Sequence, residues 1–131
     1  MARIIKAIQI DPFELAVTEI EYDADDYTNI YPLLSHETMK VDTFAVAVCH
    51  KLAEGDAVFV DDEGLLKSCD RFFLIDNQPL AGKGLIIGSD NQGESQSVKT
   101  ELKRLRVMFF ARLGSGLIPI GKFNGEKVVT L

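Results

Sequence analysis

Residues 55–94 read GDAVFVDDEGLLKSCDRFFLIDNQPLAGKGLIIGSDNQGE, and the fold class follows from this stretch. The apolar runs DAVFV (56–60), FFLI (72–75) and GLIIG (84–88) lead into Asp62-Glu63-Gly64, Asp76-Asn77-Gln78-Pro79 and Ser89-Asp90 respectively. Glycine enters positive φ without steric cost, and Asn and Asp side chains bond their own backbone. Short apolar runs bounded by such residues are strands joined by tight turns. The stretch therefore predicts a compact β-rich core, and it contains no arrangement of groups that demands chemistry.

On the N-terminal side, ARIIKAIQI (2–10) reads as a strand, with Ile4, Ala7 and Ile10 breaking strict alternation in a way that implies burial on both faces. Asp11-Pro12 interrupts it. Leu15, Val17 and Ile20 lead into EIEYD (19–23), where apolar residues alternate with acids, the pattern of a strand with one wet face. Asp25 or Asp26 is placed to cap a helix that Pro32 limits to one or two turns. ETMKVDTFAVAVCHKL (37–52) is strand-like, with Met39, Val41, Phe44, Val46 and Val48 as inward candidates and a register shift around Asp42-Thr43.

Beyond the core stretch, NQGESQS (91–97) is a polar connection. Ser97 can cap a helix with Val98, Leu102, Leu105 and Phe109 on one face at near-helical spacing; a helix over about 97–106 and a strand over about 107–112 are expected. LIPIGKFNGEKVVTL (117–131) is a hairpin signal in which Asn124-Gly125 favours a type I′ turn. The expectation is one α+β domain over residues 1–131, mostly antiparallel sheet with one or two short helices and a C-terminal hairpin.

Charge is unevenly distributed. Residues 1–98 carry seven basic and 18 acidic side chains, a balance of −11, whereas residues 99–131 carry seven and two, a balance of +5. An acidic body repels phosphate, which disfavours nucleic-acid binding by the surface as a whole. No apolar run approaches the roughly 20 residues that span a bilayer, and MARIIKAIQID lacks the unbroken apolar stretch of a signal peptide. Cys49 and Cys69 are too few for a disulfide framework, so reduced thiols in the cytoplasm of a bacterial host are expected.

DAVFVDDEGLLK (56–67) followed by GLIIGSDNQGES (84–95) is similar to a small domain of unknown function carried by phages, plasmids and conjugative elements. The positions that carry the resemblance are Asp61, Asp62, Glu63, Gly64, Gly84 and Gly88, within residues 28–112. The chain departs from the pattern at FFLIDNQPL (72–80) and adds its C-terminal hairpin. The resemblance implies a mobile-element origin and transfers no functional residues.

Several constellations have a chemical and a structural reading. Asp61-Asp62-Glu63 supplies oxygen ligands but lacks the spacing of a calcium loop, and solvated turn acids explain it. Cys49, His50 and Cys69 lack the paired spacing of a zinc site. Cys69 with His36 or His50 is a conceivable nucleophile and base, unmarked by any local motif; buried small thiols explain the cysteines. Gly82, Gly84 and Gly88 flank Lys83 without the strand-loop-helix order of a phosphate loop. Lys99, Lys103, Arg104, Arg106 and Arg112 form the basic cluster. On a helix, Lys99, Lys103 and Arg106 share one side, which makes them the candidate contacts for a partner or a phosphate, or else a solvated face.

No catalytic residue, cofactor or metal site is assigned. The reading is a non-enzymatic phage or mobile-element accessory protein that binds a host protein or a small ligand, with no membrane association. A small enzyme or ligand-sequestering pocket is the alternative, and a nucleic-acid-binding regulator using residues 99–112 is the next. The segment KVVTL (127–131) lacks Pro or a charge run to block edge pairing, so a homodimer is expected.

Overall fold

The computed structural model describes residues 2–36, 46–52, 55–61, 69–76 and 78–131. The elements in chain order are β1 (Ile4–Asp11), β2 (Ala16–Asp23), α1 (Ile30–Leu34), β3 (Val46–Lys51), β4 (Ala57–Asp61), β5 (Arg71–Ile75) and β6 (Gln78–Ala81). They continue with β7 (Gly84–Ser89), β8 (Ser95–Gln96), β9 (Val107–Leu113), β10 (Gly116–Phe123) and β11 (Val128–Thr130), with 3-10 turns at Tyr27–Asn29 and Leu102–Arg104. The strands form two antiparallel sheets. Sheet 1 has the order β2-β1-β7-β4-β3, with β8 beside the end of β7; sheet 2 has the order β11-β10-β9-β5-β6. The expected α+β domain, mostly antiparallel sheet with one short helix, is what the chain forms.

Strand periodicity sorts the side chains into layers. Ile8 and Ile10 of β1, Val17 of β2, Val58 and Val60 of β4 and Ile86 of β7 meet Phe73, Ile75, Val107, Phe109 and Phe123 of sheet 2 in the central core. The alternate residues Ile5, Ala7, Tyr22, Leu85 and Ile87 face the other way and are covered by Ile30 and Leu34 around α1. Sheet 1 is therefore buried on both faces, which is why β1 and β7 read as near-continuous apolar runs. Ile4 shares the face of Ile8 and Ile10 but remains 54% exposed at the outer end of its strand. Gly84 sits directly against sheet 2: a Cβ there would overlap the Phe73 ring.

A register shift in β10 between Pro119 and Gly121 changes which side chains face inward. Leu117 lies on the outer side of sheet 2 with Cys69 and Phe72, whereas Phe123, six residues on, enters the central core. An inserted residue reverses the side-chain alternation of everything after it.

Two expectations are corrected. First, residues 97–106 do not form a helix. The hydroxyl of Ser97 accepts from the Lys6 amide, the Val98 amide donates to the Lys6 carbonyl, and the Lys99 and Thr100 amides donate to Asp56. These contacts bind the segment to β1 and to a buried carboxylate, and Glu101 (φ −78°, ψ 135°) and Leu105 (φ −78°, ψ 136°) are extended on either side of the single turn Leu102–Arg104. Leu102 and Leu105 still reach the core, so their spacing reports burial rather than helix.

Second, the C-terminal hairpin exists but its turn is not a two-residue type I′ at Asn124-Gly125. Phe123 pairs with Val128, leaving a four-residue loop in which Asn124 Oδ1 accepts from the Glu126 and Lys127 amides. The two-residue connection lies instead at Gly114-Ser115, where Leu113 pairs with Gly116 and Gly114 takes φ +62°. Within the described residues, β3 spans Val46–Lys51 and shows a register shift between Val48 and His50. The shift expected at Asp42-Thr43 lies outside the described residues.

Candidate functional site

The expected contact residues fall on an irregular segment that rims a cleft. Asp56, at 0% exposure, positions this segment. Its Oδ2 accepts from the Lys99 amide at 3.0 Å, the Thr100 amide at 2.7 Å and the Thr100 hydroxyl at 2.7 Å. Its Oδ1 takes a second, 3.1 Å contact from the Lys99 amide. A buried carboxylate persists only when its lone pairs are met in this way. Gly88 makes room for the arrangement, because a Cβ there would press on the Ser97 carbonyl and the Asp56 carboxylate. Asp56 therefore ties the end of sheet 1 to the chain that enters sheet 2.

The cleft has a volume of about 520 Å³. Leu52, Leu74, Ile75, Leu105, Val107 and Met108 supply its apolar surface, and Arg104, Arg106, Lys122, Thr100 and Asp76 its polar groups. One nitrogen of Arg106 donates to the carbonyls of Lys103 at 2.9 Å and Leu105 at 3.0 Å, which fixes the guanidinium at the rim. Glu101 pairs with Lys103 at 3.2 Å and Arg104 at 3.6 Å across exposed surface. Such exposed pairs are worth little and exchange readily. Among the described lining residues three cations stand against one carboxylate, which favours an anionic group over an apolar floor.

Of the expected trio, only Arg106 lines this cleft. Lys99 and Lys103 are exposed beside it, and without a helix the three do not form a stripe. Arg112 lies elsewhere, over the Phe72 ring at 5.2 Å. Lys122 and Thr100 were not singled out in the sequence. Lys122 alternates with buried Phe123 on β10, which marks it as outward-facing but not as part of a cleft with Arg104; that depends on β10 pairing with β9, where Lys122 lies opposite Met108.

The other constellations have structural partners where their residues are described. Lys83 Nζ lies 3.5 Å from Asp11 Oδ2, with both side chains nearly buried, and Asp11 Oδ1 accepts from the Phe13 and Glu14 amides. That pair joins the β6–β7 turn to the β1–β2 turn. The buried Cys69 thiol donates to the Arg71 carbonyl, and burial pushes its pKa up, opposite to the shift that activates a nucleophile. His36 stacks on Phe13 with ring centroids 3.8 Å apart. Asp61 is buried rather than solvated. Asp62, Glu63 and Gly64 lie outside the described residues, as do the side chains of Cys49 and His50. Among the described residues, no group of three or more His, Cys, Asp or Glu side chains is arranged to hold a metal ion.

Comparison with family models, curated proteins and solved structures finds no match to the chain. Of the motif glycines, Gly84 serves sheet packing and Gly88 serves the Asp56 anchor.

Proposed function

We propose that this protein is a non-enzymatic binding module, an accessory protein of a phage or mobile element. It engages a host protein or small ligand through the basic cleft at the end of sheet 2. The observation that carries this reading is the meeting of Arg104, Arg106 and Lys122 around an apolar floor in a cleft of about 520 Å³. That volume lies within the usual range for ligand sites, about 300–1,000 Å³. A carboxylate or phosphate at the rim, attached to an apolar group below it, satisfies both parts of the lining. The nucleic-acid reading has less support, because residues 97–106 form no helix to align their basic side chains and Arg112 stands over Phe72, outside the cleft. The module acts in a host cytoplasm, as a homodimer paired through β11, an outer strand of sheet 2.

An oligoglutamate peptide and duplex DNA, titrated separately at physiological salt, test the proposal. The peptide is expected to shift the amide resonances of Thr100 and Met108 saturably. Changing Arg104, Arg106 and Lys122 together to Gln should abolish the shift, while Lys99→Gln with Lys103→Gln should weaken it only slightly. Submicromolar DNA binding, or peptide binding untouched by the triple change, would overturn the reading.

A further inference from the structure

The three tyrosines of this chain, Tyr22, Tyr27 and Tyr31, all line one groove of about 300 Å³, together with Phe59 and Ile87. The groove lies on the α1 side of sheet 1, across that sheet from the central core, and is separate from the basic cleft. Tyr22 and Ile87 are buried at its base. Tyr27 and Tyr31 stand as walls, their rings perpendicular with centroids 6.3 Å apart. Tyr27 is 71% exposed, so its ring adds little to the core. Polar contacts hold its turn in place: Asp26 accepts from the Thr28 amide at 3.0 Å and hydroxyl at 2.7 Å, and the Asn29 side chain donates to the Asp23 carbonyl at 3.1 Å. An exposed aromatic on a fixed turn is a ready contact surface.

The electrostatics of the rim select the occupant. No Lys or Arg occurs between residues 7 and 39, where Asp23, Asp25 and Asp26 lie. Asp23 and Asp26 are close enough to add to burial in raising the Tyr22 hydroxyl pKa. Among the described residues, neither takes part in an ion pair. The rim already holds one cation: the Arg3 guanidinium donates to the carbonyl of Ser95, a groove residue, at 2.6 Å. It also pairs with Asp25 at 3.7 Å and Glu94 at 3.8 Å. Aromatic ring faces attract cations, most strongly where water is partly excluded.

We propose that this groove docks a lysine or arginine side chain from a basic segment of a partner protein. The groove has room for one such side chain, while Asp23, Asp25, Asp26 and Glu94 extend the negative field beyond it to meet flanking basic residues. A purely apolar occupant would strip water from carboxylates and give them nothing in exchange. The site is independent of the basic cleft and has the opposite charge preference.

The chain contains no tryptophan, so tyrosine fluorescence reports directly on this groove. A short peptide of alternating arginine and glycine should change that fluorescence saturably, and added salt should weaken the response. Tyr27→Leu and Tyr31→Leu, which keep apolar area and remove the phenol ring, should each weaken binding by roughly two- to thirtyfold. Asp26→Asn keeps the turn's acceptor oxygen and should also weaken binding; circular dichroism checks that each variant is folded. The proposal is overturned if the Leu variants bind as well as the parent, or if a neutral or oligoglutamate peptide gives the same response. Tetramethylammonium binding as tightly as the peptide would replace the partner segment with a small organic cation and overturn the proposal in that form.

Discussion

Truncating Asp56 tests whether a single buried carboxylate holds the two sheets in register with the segment that rims the cleft. In Asp56→Ala the Lys99 amide, Thr100 amide and Thr100 hydroxyl lose their acceptor. An unmet buried donor costs about 1–3 kcal/mol, and these donors are only partly buried, so water recovers some of the loss; the expected total is about 2–4 kcal/mol. Asp56→Asn should behave differently. All three donors reach Oδ2, so a carboxamide with its oxygen there keeps those contacts and loses the second Lys99 contact at Oδ1 and the assistance of the charge, about 1–2 kcal/mol. Urea unfolding measures both changes. For Asp56→Ala the midpoint should fall by roughly 1–2 M with an unchanged slope. Hydrogen exchange at the Lys99 and Thr100 amides should accelerate in the same variant. An Ala variant within about 0.5 kcal/mol of the parent, or an Asn variant as damaged as the Ala variant, would refute the anchoring role.

Gly84→Ala places a methyl group against the fully buried Phe73 ring and should cost about 1–3 kcal/mol, with partial recovery when Phe73→Leu is added; an unchanged melting temperature would count against the packing argument. Burial, then the charges of Asp26, Asp23 and Tyr31, raise the Tyr22 hydroxyl above its ordinary 10.0. Because the folded pKa exceeds the unfolded one, the stability linked to this group is fully present below pH 10 and is lost as pH rises through the folded value. Absorbance titration should show one tyrosine ionising late, and simultaneous ionisation of all three would contradict this. Val129 and Leu131 are 45% and 64% exposed at the end of sheet 2. Sedimentation at micromolar concentration should give about twice the 14.5 kDa chain mass, and Val129→Lys should reduce it; a monomeric parent removes the edge-pairing argument.

The strands were legible because strand periodicity and turn chemistry are local. AVFV, FFLI and GLIIG each lie within an observed strand, β9 covers the expected strand at 107–112, and Asp26 caps the turn before α1, a helix of five residues that continues past Pro32. The unequal charge of the two parts of the chain was equally open to reading, since it requires only counting. What sequence could not decide was where non-local partners compete for the backbone. Ser97, Val98, Lys99 and Thr100 have helix-compatible spacing with the residues that follow, but Lys6 and Asp56, distant in the chain, hold their polar groups. The basic cleft and the tyrosine groove are of the same kind. Arg104 and Lys122 line one cleft only because β9 pairs with β10, and Tyr22 and Tyr31 line one groove only because α1 folds over sheet 1. Local preferences of a few tenths of a kcal/mol per residue set the strands and turns. A buried carboxylate and a shared core carry larger energies between residues far apart in the chain, and those energies are defined only once the sheets are assembled.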